Sequence, residues 1–181
     1  MPRYLANTSA NRGFSQPQRE HAGRSSRWNK LARVRRNEKE GAMTIHTVEV
    51  PEDSEIFGKS VSAFASFGYS AAVRSRGHLF IAGTVGRRPD SAIPDDIEEQ
   101  TEIAIRKLQE ILRLEGLDLS ALVDVTSYHV DIHQHLSGFT KAKSRLIKPP
   151  YPSWSLIGVS ALASPGLLVE IRATAAYPDG I

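Results

Sequence analysis

The chain has 181 residues, 40% of them apolar and 24% charged, the make-up of one globular domain with a substantial core. It contains no cysteine, which excludes disulfide scaffolds, zinc–thiolate sites, cysteine-ligated iron–sulfur clusters and cysteine nucleophiles. No run approaches 18 apolar residues, so no membrane span is expected, and a reducing, cytoplasmic setting suits the composition.

The net charge of +3 hides a split. Residues 1–42 carry ten Lys/Arg and three acids, giving +7, and the remaining 139 residues carry −4. Residues 1–42 also lack a sustained apolar period, so they cannot bury enough area to offset their ordering entropy. Three readings of this stretch stand: a disordered extension with Met43 as the natural start, an Arg-rich organelle presequence, or a basic arm for a polyanion. Residues 43–181 are expected to form one domain.

In chain order, Thr44–Val50 alternates like a short strand ended by Pro51. Tyr69–Arg74 and His78–Gly83, joined across Ser75-Arg76-Gly77, form a hairpin. Val85–Ile93 is loop. Pro94-Asp95-Asp96 starts a helix, with proline in the first turn and carboxylates at the positive end of the dipole. Ile97, Thr101, Ala104, Ile105, Leu108, Ile111 and Leu112 form its inner stripe, and Gly116 stops it. Ala121–Val130 is a strand, and Asp131 caps a second helix over about residues 133–147. Strands at Ser153–Val159 and Leu167–Ala175 follow, read as a closing hairpin. The fold class is therefore α/β (α+β), a mixed sheet with two helices on one face.

The run His129-Val-Asp131-Ile-His133-Gln-His135 spaces four metal-ligand types by two. They share a face only if the strand continues; a strand ending near Asp131 makes them a cap and surface residues. The cap reading is preferred and no metal is expected. There is no nucleophile elbow, phosphate loop or dinucleotide fingerprint. Glu170 lies mid-strand in Leu167–Ala175, and alternation puts Glu170 and Arg172 on one face, with Val169, Ile171 and Ala173 on the other. Such a pair is either a solvated face or part of a site.

Several short motifs occur in order: Gly68-Tyr69-Ser70-x-Ala72, Leu79-Phe-Ile-Ala-Gly83, Glu99-Gln100, Leu108-x-x-Ile111-Leu112-x-x-x-Gly116, Tyr128-x-x-Asp131, Tyr151-Pro152 and Leu168-Val-Glu170-Ile-x-Ala173. Together, over about residues 65–177, they resemble the Rid family, also called YjgF and historically endoribonuclease L-PSP. The resemblance implies a chorismate-mutase-like fold, a homotrimer, ligand pockets between subunits, and hydrolysis of reactive imines or enamines without metal or cofactor. It puts the catalytic roles on Glu170, which positions water, and on Tyr69, and lines the pocket with Gly83, Thr84, Phe139, Trp154, Ser155 and Arg172. The family's carboxylate-binding arginine falls on Trp154, and a helix asparagine on Phe139, so the resemblance is to a branch without that arginine. An indole cannot make the bidentate carboxylate contact of a guanidinium. Arg172 is the alternative receiver of an anionic group. Glu170 is expected beside Trp154, its pKa raised by burial between subunits and lowered by Arg172 if the two pair.

Three functions are compatible with these residues: a small-molecule hydrolase of the imine deaminase type, a non-catalytic metabolite-binding trimer, and an RNA-binding or RNA-cleaving protein. The acidic body disfavours the last, because a phosphate backbone needs a cationic surface. The substrate is not legible.

Overall fold

The structure, a computed structural model, describes residues 45–178. The reading of residues 1–42 as an extension lies outside the described residues. Six strands form one mixed sheet: β1 His46–Val48, β2 Ala72–Ser75, β3 His78–Val85, β4 Leu122–Val130, β5 Ser153–Val159 and β6 Val169–Ala176. Three helices accompany them: α1 Ser62–Phe67, α2 Ile97–Leu114 and α3 Ile132–Leu146. The strand order is β1-β2-β3-β6-β4-β5.

The β2–β3 hairpin closes where expected, with Arg76 and Gly77 both at positive φ (47° and 73°), the backbone of a tight hairpin turn. α2 begins later than read: Pro94 and Asp95 lie before it, Asp96 is its N-cap, and Glu98 and Glu99 are the acids of its first turn. The Asp96 side chain accepts from the Glu99 amide at 3.0 Å, and beyond the last turn the Leu117 amide donates to the Leu112 carbonyl across Gly116 at φ 71°. Its stripe is buried as the spacing predicts, but Gln100 and Lys107 are buried with it. Outward-facing ion pairs link the two long helices: Lys141 and Arg145 of α3 both reach Glu98 of α2, at 2.8 and 2.9 Å.

Two expectations are corrected. β5 and β6 are not a hairpin, because β4 lies between them, parallel to β5 and antiparallel to β6. A parallel pair needs a long crossover, and α3 supplies it. Asp131 does not cap α3 with its side chain. Its backbone is left-handed (φ 48°, ψ 50°), and its carbonyl accepts from the amides of Gln134 and His135. The short helix α1, preceded by a 3-10 turn over Gly58–Val61, was not anticipated.

Register sorts the sheet into two faces, because directly paired residues point the same way. The row Ile81–Ala173–Val125–Trp154 lies on the helix side, where Ile81, Ala173 and Val125 are buried. The row Val85–Glu170–Tyr128–Ile157 lies on the other, open side, as does Arg172–Thr126–Ser155.

The Gln100 amide holds three connections at once. Its Nε2 donates to the carbonyls of Pro94 (2.6 Å) and Gly166 (2.8 Å), and its Oε1 accepts from the Leu168 amide at 2.9 Å. It thereby ties the loop before α2 to the segment entering β6. Gly86 allows the approach, since a Cβ there would overlap the Gln100 backbone. Gln100→Leu strands these buried groups, at about 1–3 kcal/mol for each group left without a partner. Denaturant unfolding is expected to show a total loss of about 2–4 kcal/mol, as neighbours relax around the gap.

Candidate functional site

The open side of the sheet ends in a cleft of about 740 Å³, walled by α1, β3, the loop after β3 and the segment before β6. Glu170, Tyr69 and Gly83 all line it. β3 bulges between Ile81 and Thr84, so Gly83 has no direct partner on β6. The Glu170 side chain uses that gap: a Cβ built on Gly83 would overlap its carboxylate oxygen. Glycine at this position is thus a condition for the carboxylate lying against the strand.

Burial pushes the Glu170 carboxyl above the ordinary carboxylate value, and no cation opposes that shift. The Tyr69 phenol is raised too, first by burial and then by the negative charge of Glu170, which places the two groups within electrostatic reach. Tyr69 follows Gly68, which ends α1 in the left-handed conformation (φ 70°). Its ring stands edge-on to Phe64, centroids 5.3 Å apart, and Phe64 leans on Phe57 at 5.7 Å. Behind them, the Lys107 ammonium lies 5.4 Å above the Phe57 ring. Burial, and then the charge of Arg87, lower its pKa from 10.5 to about 8.

Comparison with known proteins agrees with this fold. The family described as "Endoribonuclease L-PSP" matches residues 60–177. The chain belongs to this family, also called YjgF/RutC. It is similar to the "RutC family protein YjgH" of Escherichia coli K12, 35% identical over 119 residues, covering 65% of this chain and 89% of that one. The solved structure of protein YjgH superposes with a TM-score of 0.60 over 65% of this chain and 90% of that one. The Mycobacterium tuberculosis protein Rv2704, of the YjgF/YER057c/UK114 family, gives 0.60 at 31% identity, over 74% and 99% of the two chains. A more distant relative is the "Reactive Intermediate Deaminase A, chloroplastic" of Arabidopsis thaliana, 27% identical over 52% of this chain and 51% of that one.

Within one chain of this YjgF-family protein, the other expected pocket residues do not reach the cleft. Thr84 is buried below the sheet, its hydroxyl shared between the carbonyls of Ala104 (2.9 Å) and Ile171 (3.1 Å). Phe139 is a core residue of α3, 1% exposed, packed edge-on to the His129 ring at 4.5 Å and facing Trp154 at 6.1 Å. Trp154 does not lie beside Glu170. Its register partner is Val125, on the helix side, and its Nε1 donates to Ser127 Oγ at 2.9 Å while Lys143 Nζ sits 3.9 Å above its ring. Ser155 and Arg172 share the open face, one row from Glu170 and outside the cleft lining. Arg172 forms no ion pair with Glu170 among the described residues, so the expected downward pull on Glu170 is missing.

The histidine run disperses. His129 is fully buried on β4, its Nε2 2.8 Å from Ser127 Oγ, and burial lowers its pKa. His133 and His135 stand on the first turns of α3. Among the described residues no three His, Asp or Glu side chains converge on a metal position. Sequence reading quoted Glu99-Gln100 as a motif but gave Gln100 no role, although Gln100, the clasp that sets the cleft walls, falls on the same helical stripe as Ala104 and Leu108. It also missed the cleft residues Lys59, Ser60 and Arg87, for which the loop sequence offered no signal.

Gly83→Ala tests the close approach. The overlapping atom is the end of a flexible side chain, so the fold tolerates the methyl group by swinging the carboxylate aside. Unfolding free energy is expected to change by less than about 1 kcal/mol. The Glu170 carboxyl is expected to fall toward its ordinary value as it meets solvent, which side-chain carbon NMR titration measures.

Proposed function

We propose that this YjgF-family protein is a metal-free hydrolase of small, reactive imines, with Glu170 as the group that activates water. The observation that carries the reading is the Glu170 carboxylate, half-buried over Gly83 beside the Tyr69 phenol, with its pKa raised by burial. The name of the Arabidopsis relative, a reactive intermediate deaminase, supports the same chemistry.

The chemistry follows from the groups present. Water adds through oxygen to the imine carbon while Glu170 accepts one of its protons. The proton then passes to nitrogen, the C–N bond breaks, and ammonia and a carbonyl compound leave. One water is consumed and no electrons change hands. A carboxyl raised above 4.5 is a stronger base than a solvated one, which suits it to this step. Tyr69, held as a neutral phenol, donates a hydrogen bond to the substrate or to the carbinolamine.

Glu170→Gln keeps the shape and removes the base. Ammonia release from freshly generated imines is expected to fall by about 10²–10⁴-fold. In the parent protein, the rate is expected to fall with decreasing pH at an inflection above 4.5, since only the ionised form accepts the proton. Equal rates for the two proteins, after subtraction of spontaneous hydrolysis, would remove Glu170 from the mechanism. Tight binding of the carbonyl product without any turnover would favour a metabolite-binding role instead.

We propose further that the protein acts as a homotrimer joined through its open sheet face, where Phe80 of β3 and Ile157 of β5 are 46% and 43% exposed on the same side of one continuous sheet. Apolar side chains grouped on an uncovered sheet face favour association. Sedimentation equilibrium is expected to give three times 19.9 kDa for the chain, and Ile157→Asp to shift the distribution toward monomer. A monomeric parent protein at micromolar concentration would refute this assembly.

A further inference from the structure

The helix α1 carries two phenylalanines with opposite surroundings. Phe64 is held between the rings of Phe57 and Tyr69, with centroids 5.7 and 5.3 Å away. Phe67 meets no aromatic ring among the described residues. It is 76% exposed, more than any other large apolar side chain described. Single apolar residues on a surface are ordinary, so position decides whether one matters. Phe67 does not stand on open surface: it lines the cleft that also holds Glu170 and Tyr69.

α1 is a partition between two hollows. Toward the cleft it turns Ala63 and Phe67, four residues apart on one helix face. Behind it, Val61, Phe64 and Ala65 line a second hollow of about 690 Å³ against β1. No residue of α1 is buried, so the Phe67 ring adds nothing to the packing of the core. Around Phe67 the cleft offers Ala63, Ala82, Val85, Ala163 and Leu167. Three of these five are alanines, whose short side chains leave width for a flat group. The volume points the same way. About 740 Å³ falls within the range of roughly 300–1,000 Å³ found for sites that take drug-sized ligands. An imine of two or three carbons fills a small part of that space and leaves the rest to water. Reach is also suitable. Phe67 and Tyr69 are two residues apart, so their Cα atoms lie within about 7 Å, roughly the span of a ring on a short carbon linker.

We infer that Phe67 receives an aromatic ring of the substrate, and that the cleft selects imines carrying such a ring on a link of one or two carbons. The inference deepens the hydrolase reading and rests on it for the word imine, but not for the ring site. A ligand ring laid against Phe67 takes apolar surface of both partners out of water and adds the preference of aromatic pairs for offset or edge-on contact. With the ring held there, the linker carries the imine carbon toward Tyr69 and Glu170. Phe67 touches the substituent and not the reacting atoms, so its work appears in substrate choice and in KM more than in kcat.

The test compares the full-length parent protein with Phe67→Ala, Phe67→Leu and Phe67→Tyr. Binding of benzylacetone and of acetone is measured by calorimetry. Ammonia release is measured for the imines freshly formed by oxidation of phenethylamine and of ethylamine. The parent is expected to favour the ring-bearing imine about 10–100-fold in kcat/KM. Phe67→Ala is expected to reduce that preference about 5–20-fold, mainly through KM, and to weaken benzylacetone binding by a similar factor. Phe67→Tyr is expected to retain the preference, since it keeps the ring, and Phe67→Leu to retain part of it. Phe67-dependent binding of benzylacetone without turnover of either imine would sink the hydrolase reading and leave the ring site standing. A parent protein that treats the two imines alike would overturn the inference. So would Phe67→Ala losing activity equally on both while sedimentation shows its assembly broken, because that result makes Phe67 a contact between copies of the chain.

Discussion

The cleft depends on the side-chain amide of Gln100. A loop of eleven residues, 86–96, leads from β3 to α2, and another connection runs from β5 to β6; neither has a sheet ladder to hold it. Each is pinned by hydrogen bonds to one buried amide, whose donors meet Pro94 and Gly166 and whose oxygen meets Leu168. Burial makes these bonds consequential, because water cannot replace them when they are lost. The amide also sits on α2, the longest and best-packed helix, so the walls inherit the rigidity of the core. Gly86, whose backbone lies against Gln100, completes this junction at the start of the loop that carries Arg87.

A second constraint is the parity of the sheet. Glu170 and Ile171 are neighbours in sequence and face opposite sides of β6, one the cleft and one the core. The same rule sends Trp154 to the helix side, where it joins a small polar cluster. The Trp154 indole donates to Ser127 Oγ, and the Ser127 hydroxyl makes a long contact of 3.5 Å to the Ser155 carbonyl. A hydroxyl that donates there accepts from the His129 Nε2–H, which leaves Nδ1 as the bare acceptor; Nδ1 is the atom found without a partner. This assigns the neutral Nε2–H tautomer and agrees with the lowered imidazole pKa. The serine–histidine pair therefore resembles a nucleophile and its base only in distance. Both residues are fully buried and neither lines a cleft, so their chemistry is packing.

Much of this was legible from residues. Helical spacing located α2 and its glycine stop, though not its first-turn acids, which are Glu98 and Glu99 rather than Asp95 and Asp96, and strand alternation placed Glu170 and Arg172 on a common face. The separation of Trp154 from Glu170 was not legible, because it depends on which strand lies between β5 and β6. Adjacent order in sequence favours a hairpin, whereas the α3 crossover makes β5 a parallel edge strand next to β4. Gln100 and Lys107 were hidden for a different reason. Polar residues on an apolar stripe look like pattern noise unless their partners are known, and those partners lie 66 and 68 residues away for the Gly166 and Leu168 bonds of Gln100. Arg87 and Arg88 are chemically identical neighbours, and only the three-dimensional position of Glu99 pairs Arg88 with a carboxylate.

Lys107 shows how the core and the cleft are electrically joined. A lysine brought from 10.5 to about 8 by burial holds its proton at neutral pH at a cost of about 3 kcal/mol. The face of Phe57 offsets part of that cost, since a ring's π density attracts a desolvated cation. Phe57 in turn packs on Phe64, and Phe64 on Tyr69, so the ring that shelters the ammonium also sets the position of the phenol beside Glu170. The lowered pKa is thus the signature of a residue placed by its long alkyl stem rather than by a partner acid. Were an acid present to pair with it, the neighbouring Arg87 would be screened as well. Among the described residues no acid pairs with Arg87, and the cleft is lined by two cationic groups, Lys59 and Arg87, and one acidic group, Glu170.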